Sequence, residues 1–215
     1  MTTPEWQVNP GRYISVTPGG AYFAVESREP DLYRRVLLSL MQTTVTPMLD
    51  ESIACSLTGL PVNEAMDVLA RLEAAQLIRG NAQAEELPQG QLDEILPGLL
   101  ARLSDRGAAL LTDLRRGFFL DYTGYTQRQA EALAVFASGM LAVYRKHSDV
   151  LSGELDMASR GLAIVDPAGN SELGVWPLFV GEDEFALIVP GLVQLSNQAF
   201  RQLVWLMVQR YGNHN

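Results

Sequence analysis

The stretch TQRQAEALAVFASGMLAVYRKH, residues 126–147, constrains the fold more than any other part of the 215-residue chain. Thr126 and Gln129 have the spacing of a capping box, which starts a helix running to about His147. From Ala132 to Tyr144 almost every residue is small or apolar. A helix lying on one sheet needs only one apolar stripe. Leu133, Ala137, Met140, Leu141 and Tyr144 suffice to cover a sheet. Ala132, Val135, Phe136, Gly139 and Val143 then point elsewhere. Soluble monomers avoid a large exposed apolar patch, so these five are expected to form a dimer or partner interface. The alternative is cover from the N-terminal domain or the linker. Gly139 costs about 1 kcal/mol of helix propensity relative to alanine, and close approach of a second backbone would account for it.

The segments around this helix predict a sheet. GAALLTDLRRGFFLDYTG (107–124) reads as strand, turn and strand, with the turn at Asp113 to Gly117. GLAIVDPAGN (161–170) is a strand ending in the turn Asp166-Pro167-Ala168-Gly169. LGVWPLFVGEDEFALIVPG (173–191) is two strands joined through Gly181 to Glu184. Leu92 to Leu103 looks helical, but Pro97 and Gly98 predict a kink or a late start. Ser196 or Asn197 caps a last helix with Phe200, Leu203, Val204, Met207 and Tyr211 on one face, ended by Gly212. The order is helix, two strands, long helix, three strands, helix. That is an α+β domain with an antiparallel five-stranded sheet, expected over 92–215.

The first part has another rhythm. Residues 12–26, RYISVTPGGAYFAVE, predict a β-hairpin turning at Pro18, Gly19 and Gly20. Asp31 caps a helix over 31–42, and a short helix starts near Asp50 and ends at Gly59. Pro61 opens a third, with Ala65, Val68, Leu69 and Leu72 as its buried stripe. Three short helices so spaced suggest a helix-turn-helix. RGNAQA could supply one wing strand, with the N-terminal hairpin standing in for the second. The reading is a small winged-helix-like domain over 1–85. The polar run GNAQAEELPQGQ is the linker, at about 80–91.

Charge argues against DNA. The net charge is −9, so no global attraction to phosphate exists. On the third helix the outward residues are Asn63, Glu64, Asp67, Arg71 and Ala74. A base-reading helix needs donors and positive charge, yet two carboxylates occupy this face. Arg34, Arg35 and Arg79 are the only basic support. The expected role of this face is protein docking.

Catalytic chemistry has little to stand on. Cys55 is the single cysteine, which excludes an internal disulfide and a two-cysteine zinc site. It is expected to be buried, with no histidine routed to it. His147 ends the long helix, where a cation suits the dipole, and His214 lies in the terminal residues. Neither TPGG (17–20) nor TGY (123–125) is a phosphate loop. Arg115 and Arg116 at a hairpin turn, and the acidic turn GEDE (181–184), are read as solvated turns. The expectation is a non-enzyme with no cofactor and no metal. The N-terminus shows no signal-peptide pattern and no stretch is long enough to span a membrane, so a cytoplasmic protein is expected.

The strand order, the segment TDLRRGFFLDYTG, the Ala-rich helix AEALAVFASGMLAVYRKH and the closing hairpin and helix resemble the Roadblock/dynein light chain family. Longin and profilin-like domains share related shapes. The resemblance covers residues 92–215. It implies a homodimer or heterodimer with sheets joined edge to edge and long helices side by side. It also implies a scaffold or regulator of small Ras-like GTPases, or a link in motor and signalling complexes. The Pro97-Gly98 pair and the added N-terminal domain depart from the minimal pattern. The alternative function is a winged-helix transcription regulator whose C-terminal domain dimerises.

Overall fold

A computed structural model describes residues 8–155 and 161–212, which leaves His214 outside the described residues. In chain order the elements are β1 (Tyr13–Val16), α1 (Pro18–Val25), α2 (Leu32–Met41), α3 (Glu51–Thr58), α4 (Val62–Ala74) and β2 (Ile78–Asn81). There follow α5 (Leu92–Leu100), β3 (Ala109–Asp113), β4 (Phe118–Thr123), α6 (Gln127–Lys146), β5 (Leu162–Val165), β6 (Ser171–Val180), β7 (Asp183–Pro190) and α7 (Gln198–Tyr211). The chain divides into two compact units. The first takes the chain up to Gln89 together with Leu195 onward, and the second is Gly90–Gln194.

In the first unit the helix starts follow their caps. Asp31 accepts the Arg34 N–H at 3.0 Å, and Asp50 accepts the Ile53 N–H at 2.7 Å. Gly59 closes α3 at φ 73°, the left-handed conformation that glycine adopts without strain. Pro61 stands at the N-cap of α4, one position before the helix. Ala65, Val68, Leu69 and Leu72 are buried, as the 3.6 period requires. Cys55 is half-buried rather than buried.

Residues 12–26 do not form the expected hairpin. β1 pairs instead with β2, antiparallel, from Tyr13 opposite Asn81 to Val16 opposite Ile78. The Pro-Gly-Gly run opens α1. Thr17 caps that helix by accepting the Gly20 N–H at 3.0 Å, and Pro18 takes the first turn, where its fixed φ is favourable. Gly20 is required by packing. A Cβ there would fall 1.9 Å from the Leu77 carbonyl oxygen, the same oxygen that accepts the Thr17 N–H at 3.0 Å. Replacing Gly20 with alanine is therefore expected to destabilise the unit by about 1–3 kcal/mol. Thermal unfolding reads this directly; an unchanged midpoint would mean that the Leu77 backbone yields freely.

The expected linker is partly structured. Thr46 N–H donates to Glu85 O and Leu87 N–H to Thr44 O, each at 2.9 Å. The boundary between units falls at Gln89 and Gly90.

The last helix departs most from expectation. α7 belongs to the first unit, against α1 and α2, not to the sheet domain. The predicted face of Phe200, Leu203, Val204 and Met207 is buried, and so are Ala199, Arg201, Trp205, Leu206 and Val208. Its polar residues at i, i+4 and i+8 explain the choice of partner. Arg201 Nη1 donates to Val16 O at 3.5 Å, Trp205 Nε1 to Thr43 O at 2.8 Å and Gln209 Nε2 to Met41 O at 2.8 Å. A helix end leaves carbonyls without intrahelical partners, and α7 supplies donors where α2 ends.

The second unit is α+β with one five-stranded antiparallel sheet in the order β4-β3-β7-β6-β5. α5 runs unbroken from Leu92 through Pro97 and packs along β3 and β4. Its end tightens into a 3₁₀ turn, Ala101–Leu103. α6 opens with the expected capping box and lies on one face of the sheet. Its Ala130, Ala134, Ala137 and Leu141 cover Leu110, Val175, Ala186 and Ile188. Small residues at that spacing let helix and sheet approach closely.

Candidate functional site

The face of α6 turned away from the sheet is uncovered. Ala132, Val135, Phe136, Gly139 and Val143 are all exposed within the chain. Val135 is 75% exposed, Val143 63% and Phe136 42%. Of the residues expected to face the sheet, Ala137 and Leu141 are buried, while Leu133, Met140 and Tyr144 are half-buried. The stripe that faces the sheet also includes Ala130 and Ala134, which residue size alone does not single out.

A shallow groove of about 710 Å³ runs along this face. Val135, Phe136, Gly139 and Val143 line it together with Leu151 and Leu162. Leu151 lies in a π turn, Asp149–Glu154, that follows α6. Leu162 opens β5, the edge strand, whose one partner is β6. Ile164 and Val165 on that strand are exposed as well. Among the described residues, the exposed large apolar side chains concentrate between Val135 and Val165. An edge strand presents a row of unpaired N–H and C=O groups. An apolar groove beside such an edge is a surface suited to another chain. Gly139 has open space around it, with nothing within 4 Å of a Cβ built there.

The end of this helix is charged and internally paired. Arg145 pairs with Glu184 at the start of β7. Asp113 is buried and accepts the backbone N–H of Arg115 and Arg116, each at 2.9 Å. The Arg116 side chain reaches Asp113 at 3.4 Å and Arg115 reaches Asp183 at 4.0 Å. Asp113 therefore shapes the hairpin turn, and its arginines are already beside carboxylates. Among the described residues no three metal-ligating side chains converge, and no helix is long and apolar enough to cross a membrane.

On the first unit, Asn63, Glu64, Asp67 and Arg71 line the exposed side of α4. The basic residues that could support DNA contact have internal hydrogen-bond partners, although Arg35 is exposed and Arg79 half-buried. Arg34 is buried; its Nε donates to Phe23 O at 3.1 Å and its Nη1 to Glu29 O at 2.8 Å. Arg35 donates to Thr58 O at 3.2 Å. Arg79 donates to Ser15 Oγ at 3.2 Å and to Glu85 Oε1 at 3.0 Å.

Glu85 is the residue that sequence reasoning missed. It joins Arg79, Asn81 and the buried Arg201 in one network. Arg201 is 3% exposed and sits 5.3 Å from the Trp205 ring centroid. Burial pushes the Glu85 carboxyl up, but the Arg201 charge and the hydrogen bond and charge of Arg79 outweigh it, so the carboxyl titrates below its usual range. Burial weighs on Arg201 more than Glu85 supports it, although a guanidinium stays charged throughout. Because the folded-state value of Glu85 is depressed, its contribution is present above the ordinary carboxylate range. It is lost as the pH falls through the depressed value. Replacing Glu85 with glutamine is expected to cost about 3 kcal/mol at neutral pH, since it leaves Arg201 buried without its counter-charge. Urea unfolding across the acid range should show a flatter pH profile in the variant. An identical profile would remove Glu85 from this role.

No family model matches the sequence, and no curated protein does. Among solved structures, the chain is similar to a Roadblock/LC7 domain from Streptomyces avermitilis. That likeness has 16% identity and a TM-score of 0.34, over 56% of this chain and 93% of the other. It is also similar to the gliding protein MglB from Thermus thermophilus. There the identity is 17% and the TM-score 0.37, over 60% of this chain and 96% of the other.

Proposed function

We propose that this chain is a non-enzymatic, self-associating scaffold or regulator whose second unit is a Roadblock-type module. One observation carries the reading: an apolar helix face, with Val135, Phe136, Gly139 and Val143 exposed, lies beside an edge strand. Its occupant in this reading is a second copy, α6 against α6, with β5 edges extending the sheet. Such an isologous contact uses one patch twice. The partner of the assembled dimer is a small Ras-like GTPase or a related signalling protein, as the sequence resemblance implies. The exposed side of α4, with Asn63, Glu64, Asp67 and Arg71, serves as a docking surface of the helix-turn-helix-like unit. Duplex binding is disfavoured because Arg34 and Arg79 are held by internal partners, and because the carboxylates of Glu64 and Asp67 share the exposed side of α4 with one arginine, Arg71.

The test is a capture from native lysate by the full chain, with a GTP analogue, with GDP and without nucleotide, read by mass spectrometry. A small GTPase enriched in one nucleotide state supports the regulator reading and shows which state is recognised. Recurrent capture of another protein with no GTPase in any state would overturn the GTPase assignment.

A further inference from the structure

The network around Glu85 leaves one polar atom unmatched. Arg201 is 3% exposed. Its Nη2 pairs with Glu85 Oε2, and its Nη1 donates to Val16 O at 3.5 Å. Its Nε is buried, with no hydrogen-bond partner among the described residues. A buried donor without a partner loses its hydration and gains nothing in return, so native proteins rarely keep one. Arg201 also lines a small cavity of about 10 Å³ inside the first unit. Leu40, Met41 and Trp205 are among its apolar walls, and Ser15 and Thr46 are the polar residues that line it beside the arginine. Both hydroxyls already accept. Ser15 Oγ takes hydrogen bonds from Arg79 Nε at 3.2 Å and Asn81 Nδ2 at 2.8 Å, and Thr46 Oγ1 takes the Glu85 N–H at 2.8 Å. The two bonds to Ser15 use both of its lone pairs, which leaves its proton to be given. Thr46 keeps its proton and one lone pair. The polar lining therefore holds two groups that donate and one that can donate or accept.

We propose that this cavity is a binding site for one water molecule, which accepts from Arg201 Nε and hydrogen-bonds to Ser15 or Thr46. Size and charge both select water. A single water needs about 10–15 Å³ and two to four polar partners, so the cavity has room for one. A cation would face the guanidinium. A chloride ion is larger than water, and the charge it would bring is already supplied by Glu85. The water links α7, through Arg201, to Ser15 of β1 and to Thr46, whose hydroxyl holds the Glu85 backbone.

A high-resolution crystal structure of the full chain tests it, with a second crystal soaked in bromide and read by anomalous scattering. The expected result is one discrete water about 2.7–3.2 Å from Arg201 Nε and equally close to Ser15 Oγ or Thr46 Oγ1, with no bromide beside it. An ordered Arg201 with no density in the cavity overturns the proposal. So does an Arg201 Nε bonded directly to a protein oxygen. A bromide peak at this position makes it an anion site and overturns the assignment to water.

Discussion

Ending the chain after Gln194 leaves the first unit without a stable fold. α7 buries Phe200, Leu203, Val204, Trp205, Met207 and Val208 in that unit. Each such side chain contributes about 1.5–3 kcal/mol on burial, against a total domain stability of about 5–15 kcal/mol. The carbonyls of Met41 and Thr43 lose their donors as well. Hydrogen exchange resolves the outcome by segment. Amides of α1 and α2 should exchange at the rate of an unfolded chain in the truncated protein and slowly in the parent. Equal protection of α1 in both would show that α7 is an accessory to that core and not part of it.

In the proposed self-contact, arginine at Phe136 or at Gly139 is expected to weaken association strongly. Either change places a guanidinium in the centre of the apolar groove with no carboxylate lining it. The expected loss is about 3 kcal/mol or more, about a hundredfold in the dissociation constant. A milder change separates interface from helix. Gly139→Ala meets open space within the chain, so it should stabilise the single chain by about 1 kcal/mol through helix propensity. In the proposed dimer the added methyl group would stand where two backbones approach, and association is expected to weaken. Light scattering and thermal unfolding, measured together, give both signs. Should both arginine variants keep the mass of the parent in solution, the α6 face is not the self-contact.

How much of this was readable without coordinates depends on the range of the forces involved. The cap of α6, the turn at Asp113–Gly117 and the three closing strands follow from local chemistry, and they stand where their residues predict. The exposed row on α6 followed from counting: more apolar positions than one sheet can cover. The Pro18-Gly19-Gly20 run misled because proline and glycine serve a β-turn and a helix start equally well. The Leu77 backbone, 57 residues on, decides between them. The partner of α7 was unreadable for a related reason. An amphipathic pattern says that a helix buries a face, not which surface receives it. Glu85 sat unnoticed in a polar run, since the value of a carboxylate depends on the buried guanidinium it meets, and Arg201 lies far along the chain.

The first unit is assembled from the two extremes of the chain, with Gly90–Gln194 intervening. Synthesis delivers those parts at different times. At about 5–20 residues per second the ribosome needs roughly 5–20 s to pass through the intervening residues. During that interval α1 and α2 have left the tunnel without α7, which packs against both, and the second unit can fold first. Ala21, Val25, Val36 and Leu40 are buried in the finished unit, and α1 and α2 gain their contact with the helix at Gln198–Tyr211 only once it emerges. A ribosome that stalls inside the second unit is expected to leave a product open to proteases, because the first unit is complete only when Gln198–Tyr211 has been made.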